Sequence, residues 1–181
     1  MNLVVANPFY TIGHSTRLLE DFVALLKNEH IELVVDIRTI PRSRSNPQYE
    51  QENLLRELEA VRLDYLHLSQ LGGLRSKSKT IAPEINSLWK NTSFHNYADY
   101  ALSEEFKQGL NELICLGHKQ RTVIMCAESV WWRCHRRIVA DYLLAHNEIV
   151  FHLMGPNRKE LAQLTKGAIV LANATVIYKG Q

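Results

Sequence analysis

No stretch of this sequence approaches the ~18 consecutive apolar residues of a membrane-spanning helix. No membrane partner is therefore expected. Cysteine is scarce: three residues in 181, an odd count that argues against the paired framework of small secreted domains. A reducing, cytoplasmic setting is expected. Neither sign of charge dominates, since 21 Lys and Arg against 19 Asp and Glu leave a net +2. Dedicated nucleic-acid binders carry far more positive charge, so any electrostatic recognition must be local. Repeats, low-complexity tracts and linker-like shifts of composition are also missing. One domain over residues 1–181 is expected, and a chain of this length buries roughly 70 % of its unfolded surface without crosslinks. The opening MNLVVANPFY has no charged leader, so no signal peptide is read there.

What is present is alternation. FYTIG (9–13) is a short β-rich run closed by glycine. Ser15 or Thr16 is placed to cap a helix, with Glu20 and Asp21 where the helix dipole favours negative charge. Leu18, Leu19, Phe22, Val23, Leu25 and Leu26 form its apolar stripe. IELVVDIR (31–38) is continuous Leu-Val-Val at its centre, the pattern of a strand buried on both faces. A basic, proline-flanked loop, TIPRSRSNPQYE, leads to a helix from about Glu50 to Arg62; DYLHL (64–68) is a third strand. Residues 69 to about 92 show no period, and long loops in compact domains tend to be functional or mobile. Ser103 caps a helix from Glu104 to about Leu116, RTVIMC is the fourth strand, CHRRIVADYLLAH the next helix and EIVFHL the fifth strand. Residues 157–166 read as a possible helix, and AIVLANATVIY as β.

Strands alternating with helices imply right-handed crossovers and a parallel sheet. The expected fold is a three-layer, Rossmann-like α/β domain with about five mainly parallel strands and helices on both faces. In such sheets ligands bind beyond the carboxyl ends of the strands. Three of those ends are chemically loaded: Gly13-His14-Ser15, Asp36-Ile37-Arg38 and Cys126-Ala127-Glu128. Were they adjacent, they would form one cleft floor.

The ordered blocks YTIGHST, VVDIRTIPRSRSNPQY, YLHLSQLGG, FHNYADY and CAESVWWRCHRRIVADYL resemble those of the bacterial and archaeal domain of unknown function 488 family. The likeness runs from Tyr10 to about Leu153, and the tail after Gly155 falls outside it. It implies a compact α/β core over residues 10–153 and a C-terminal extension over 155–181. It also implies functional positions at His14, Ser15, Asp36, Arg38, Pro41, Ser43, Cys126, Glu128, Cys134, His135 and Arg136. No established activity comes with it.

On physical grounds Cys134 sits where the fifth helix should begin, among Arg133, Arg136 and Arg137. A thiol at a helix N-terminus beside cations has a lowered pKa, and the same N–H groups and guanidiniums would hold a phosphate or carboxylate. The plainer reading makes Cys126 and Cys134 small buried hydrophobes, as expected also for Cys115 in ELICLG. A zinc set of Cys126, Cys134, His135 and His14 is an alternative that lacks any C-x₂-C pair. A redox disulfide between Cys126 and Cys134 is another, without the C-x-x-C spacing. Cysteine phosphatases use C-x₅-R; here that position is Trp132, with Arg133 one further on, so only the architecture is analogous.

Asp36 and Arg38 alternate on one strand and point the same way, either as a salt bridge or as an anion clamp whose acid orients it or acts as a base. Arg42, Ser43, Arg44 and Ser45 form either a phosphate-binding or a solvated loop. Trp131 and Trp132 read as a lid or a stacking surface. Gly72 and Gly73 would allow close backbone approach, and Phe94, Tyr97 and Tyr100 form a helical stripe facing the core.

These residues point to a small enzyme of unknown reaction acting on an anionic, phosphate-bearing ligand such as a nucleotide. Cys126, Glu128, Cys134, His135, Asp36 and His14 would carry the chemistry; Ser15, Arg38, Arg42, Ser43 and Arg136 would bind. The rivals are a non-catalytic nucleic-acid-binding module and a zinc domain. No cofactor and no oligomeric state are assigned.

Overall fold

A computed structural model describes residues 6–181. The first five residues, on which the signal-peptide expectation partly rests, lie outside the described residues. Strands β1 (Phe9–Gly13), β2 (Leu33–Asp36), β3 (Asp64–His67), β4 (Thr122–Cys126), β5 (Val150–Gly155) and β6 (Arg158–Leu161) form one sheet in the order β3-β2-β4-β1-β5-β6. The first five run parallel and β6 closes one edge antiparallel to β5. The sheet thus has the expected parallel core plus one strand. Among the described residues no helix is long and apolar enough to cross a membrane.

Alternation decides the layers. Tyr10, Ile12, Val34, Val123 and Met125 point to one face, where α1 (Leu19–Asn28) and α2 (Gln51–Ala60) cover them with Phe22, Leu26, Leu54 and Leu58. Phe9, Val35, Ile37, Ile124 and Cys126 point to the other. There α3 (Thr92–Tyr100), α4 (Glu104–Lys119) and α5 (Arg136–Ala145) supply Tyr97, Phe106, Leu110, Leu113, Ile138 and Val139. Each large side chain sealed here contributes ~2 kcal/mol of transfer free energy. Asn91 and Ser103 cap α3 and α4 by accepting backbone N–H bonds from Phe94 and Phe106, both at 3.2 Å.

Three local expectations are corrected. Helix α1 starts at Leu19 behind an uncapped Leu18, not at Ser15 or Thr16. Ser15 is instead held in the left-handed region (φ 48°) with its N–H on Ala127 O at 3.0 Å, which leaves it no part in the helix. Residues 158–161 form β6 rather than helix, because Asn157 takes φ 56° in a tight turn that sends the chain back along β5. Cys115 is exposed, not buried: Phe106, Leu110, Leu113 and Gly117 take the inner face of α4, and the helical period turns Cys115 outward.

The C-terminal segment adds a small hairpin, β7 (Ile169–Val170) with β8 (Val176–Ile177), in keeping with its β reading. Fully buried Tyr178 donates its hydroxyl to Asp141 of α5 at 2.7 Å, and Asp141 also accepts the Thr165 N–H at 2.8 Å. The tail is thereby tied to the helix that follows β4.

Candidate functional site

The three loaded strand ends are neighbours. β4 lies between β2 and β1, with Cys126 beside Gly13 and Met125 beside Asp36. The connection after β1 passes β4 to reach β2, whereas the one after β4 passes β1 to reach β5. This reversal makes the rim between β1 and β4 a topological switch point, where open α/β sheets leave a crevice. Glycine is required at the base: a Cβ on Gly13 would lie 1.8 Å from Glu128 O. The β4–α5 loop therefore rests directly on the end of β1.

That loop folds both buried thiols together. Cys126 Sγ lies 2.7 Å from Cys134 Sγ. Arg136, fully buried on the first turn of α5, donates from its guanidinium to Cys126 Sγ at 2.6 Å, Glu128 O at 2.6 Å and Ser129 O at 3.1 Å. Its backbone N–H, free at the start of α5, meets Cys134 Sγ at 3.5 Å. Arg136 Nε has no partner, and no carboxylate pairs with this guanidinium among the described residues. A buried cation needs an anion. Among the described residues in contact with it, the sulfur pair is the group that can supply one.

The pair shares the task unequally. Burial opposes ionisation of Cys134, but the Cys126 hydrogen bond and the charge and N–H of Arg136 overcome it and bring the thiol down to about 7. Burial and the adjoining Cys134 hold Cys126 well above the thiol range. The opposite shifts favour one thiolate with one thiol donating to it. His135 Nε2 lies 3.0 Å from Ile37 O and so carries the proton. Its Nδ1 lone pair then faces Cys134 Sγ at 3.5 Å. Burial lowers the pKa of His135, which favours the neutral ring.

Asp36 and Arg38 point the same way, as their spacing predicts, and form a buried ion pair. Asp36 accepts from Arg38 Nε at 2.9 Å and NH2 at 2.6 Å, from the Arg38 backbone N–H at 3.1 Å and from the Tyr65 hydroxyl at 2.7 Å. A carboxylate so occupied orients Arg38 and is not free to act as a base. Arg38 NH1 donates to Tyr49 O at 2.9 Å and approaches His14 Nε2 at 3.4 Å. His14 stacks on Tyr49 at 4.1 Å and directs Nδ1 to Ser15 O at 2.9 Å. Burial holds its pKa down to about 4, so the ring is neutral with its lone pair toward Arg38.

A cavity of about 330 Å³ opens over these elements. Of the expected residues it brings together Arg38, Arg42, Cys126, Glu128, Cys134 and His135. His14, Asp36 and Arg136 stand behind that wall, touching its lining. Ser15 and Ser43 are outside it: Ser43 Oγ accepts the Asn46 N–H at 3.2 Å and serves its own loop. Glu128 is exposed, and its carboxylate makes no hydrogen bond or ion pair among the described residues. No three His, Cys, Asp or Glu groups there converge as metal donors, and the Arg136 guanidinium occupies the side of the sulfurs a cation would need.

Sequence reasoning missed Tyr65 and Tyr49, whose contribution is a hydroxyl and a carbonyl from other elements. Arg133, Thr39, Ile40, Leu74, Ser93 and Phe94 also face the cavity. Ile40 and Leu74 form apolar lips, 57 % and 73 % exposed. The tryptophans part company: Trp131 stacks on His152 at 4.5 Å and donates to Glu160 at 3.0 Å, anchoring the loop, while Trp132 stays exposed.

The fold and site define a class: a three-layer α/β protein with a thiol–guanidinium pocket at the switch point of its parallel sheet. The family described as Domain of unknown function DUF488 matches residues 18–143, well over half the chain. The chain belongs to this family. His14 and Ser15 precede the matched residues, so their place at the rim rests on the geometry above. No curated protein and no solved structure matches the chain.

Proposed function

We propose that this chain is a small cytoplasmic enzyme that uses the Cys134 thiolate on an anionic, phosphate-bearing ligand of nucleotide size. The observation that carries the reading is the buried Arg136, which meets no carboxylate among the described residues and donates to the sulfur pair that lines the cavity. In the reaction Cys134, already ionised and steadied by the Cys126 S–H, bonds to the electrophilic atom of the ligand. The leaving group departs from that atom and takes a proton from solvent, with neutral His135 lying against the sulfur. Arg38, Arg42 and Arg133 hold the anion, and Asp36, Tyr65 and His14 keep Arg38 aimed. Glu128, at the mouth, exchanges protons with solvent. The apolar lips suit a flat ring beside the charged group, which favours a nucleotide over free phosphate.

The test is the rate of iodoacetamide alkylation at each cysteine, read by mass spectrometry across pH 5–10, with and without AMP. Cys134 is expected to react with a midpoint near neutrality and to be protected by AMP. Exposed Cys115 serves as the unprotected reference. If Cys134 reacts only in the range of Cys115, the thiolate reading is lost. If AMP binds with steep salt dependence while Cys134→Ser leaves binding and every assayed turnover unchanged, the chain is a binding module instead.

A further inference from the structure

Beyond attack on an anionic ligand, the sulfur pair has a second chemistry. We propose that Cys126 and Cys134 form a dithiol–disulfide couple that exchanges with small thiols and disulfides entering the cavity, the dithiol being its favoured state. The couple depends on Cys134 being the reactive sulfur, as in the proposed function.

The sulfurs touch, at 2.7 Å, though eight positions apart in the chain. The short 3-10 turn at Trp131–Arg133 brings Cys134 back over the end of β4. Both cysteines line the same cavity, so an external sulfur reaching one is beside the other. The third cysteine is on the outer face of α4 and plays no part.

In the exchange the Cys134 thiolate attacks one sulfur of an external disulfide, whose S–S bond breaks as one thiolate departs. A mixed disulfide now joins Cys134 to the other half. Cys126 gives its proton to the departing thiolate and attacks Cys134 Sγ, expelling the second half, which takes a proton from solvent. Two cysteine thiols have been oxidised and one external disulfide reduced to two thiols. The reverse sequence passes the disulfide back out.

Arg136 sets the direction. In the reduced pair its guanidinium donates to Cys126 Sγ, with the charged Cys134 sulfur 2.7 Å beyond; in the oxidised pair the sulfurs carry no charge, and a fully buried cation is left without an anion. The protein therefore resists oxidation of the pair and readily hands a disulfide on, as expected where the reduced thiolate is the stabilised form.

The experiment uses full-length protein carrying Cys115→Ser, equilibrated in glutathione buffers of graded redox ratio, acid-quenched and mapped by mass spectrometry. A Cys126–Cys134 disulfide is expected, half-formed only in buffers rich in glutathione disulfide and removed quickly by reduced glutathione. Adding Cys126→Ser, with folding checked by circular dichroism, should accumulate a glutathione mixed disulfide at Cys134. Adding Cys134→Ser should accumulate none at Cys126. Absence of the intramolecular bond even in glutathione disulfide alone overturns the proposal, as does a bond that resists reduced glutathione. Both of these outcomes come from the chain with its cysteine pair intact, so they hold even where a serine variant fails to fold. If Cys134 still alkylates near neutrality while no bond forms, the exchange fails and the thiolate reading survives; if alkylation fails too, both fall.

Discussion

At the scale of single residues, the site turns on one guanidinium and two sulfurs. Replacing Arg136 with Met removes the countercharge and three donors from a buried position. Loss of one partner of a buried pair costs about 3 kcal/mol or more. Arg136→Met should therefore lower the urea midpoint and move the Cys134 alkylation midpoint upward by at least about one pH unit. Arg136→Lys keeps the charge and should recover part of that shift, though not the grip on Ser129 O. An unchanged midpoint in the Met variant would show that the thiolate owes nothing to this side chain. Individual residues were the most legible level of the sequence. Cys134 next to His135 and Arg136, and Asp36 two residues before Arg38, declare their chemistry by adjacency. Arg136 was expected to bind ligand, however, and it binds the thiols; nothing in CHRR tells which arginine turns inward.

Elements show where local reading stops. Strand β2 was evident from Leu33, Val34 and Val35, because the centre of a strand buried on both faces reads as an unbroken apolar run. Edge strand β6 was not, since Arg158, Lys159 and Glu160 suit an exposed strand and a helix equally. The stretch from 69 to 91 had no period because its order comes from other elements: Leu74 N–H bonds Thr39 Oγ1 at 2.9 Å, and Tyr97 and Tyr100 clasp Leu71 O and Gln70 O at 2.7 Å each. Within it Gly73 is the sensitive point, since a Cβ there would stand 2.5 Å from His135 Nδ1. Gly73→Ala must push the imidazole off Ile37 O and away from Cys134, at a cost of about 1–3 kcal/mol. Stopped-flow alkylation at pH 7 should then find Cys134 several-fold slower than in the parent protein. A rate equal to the parent's would separate His135 from the activation of the thiol.

The whole molecule carries a pH signature that no single motif announces. His14 and His152 are both buried, and burial lowers each to about 4. A histidine held neutral in the fold takes up its proton on unfolding, so the unfolded chain binds more protons below pH 6.5. The stability linked to each ring is intact above pH 6.5 and is lost as pH falls toward 4, by roughly 3 kcal/mol per ring at the lower limit. Thermal melts should show a steep fall in midpoint between pH 6.5 and 4, and His14→Gln should flatten part of it. An unchanged slope would place the acid sensitivity elsewhere. The overall architecture was legible because periodicity and the order of strands and helices constrain a parallel sheet to few arrangements. What sequence left open was that β2, β4 and β1 stand side by side. Strand order is a long-range property, and it alone turns three polar strand ends into one site.

Anyone wishing to prepare this protein free of oxidisable thiols meets an asymmetry. Cys115 can be exchanged for serine as a matter of convenience, for it faces solvent and supports nothing beyond its own turn of helix. Hydroxyls in place of the other two would strand a positive charge in oil, because a serine stays protonated where a thiol gives way. A durable cysteine-free version would have to exchange the arginine in the same step, which makes the trio one unit of inheritance.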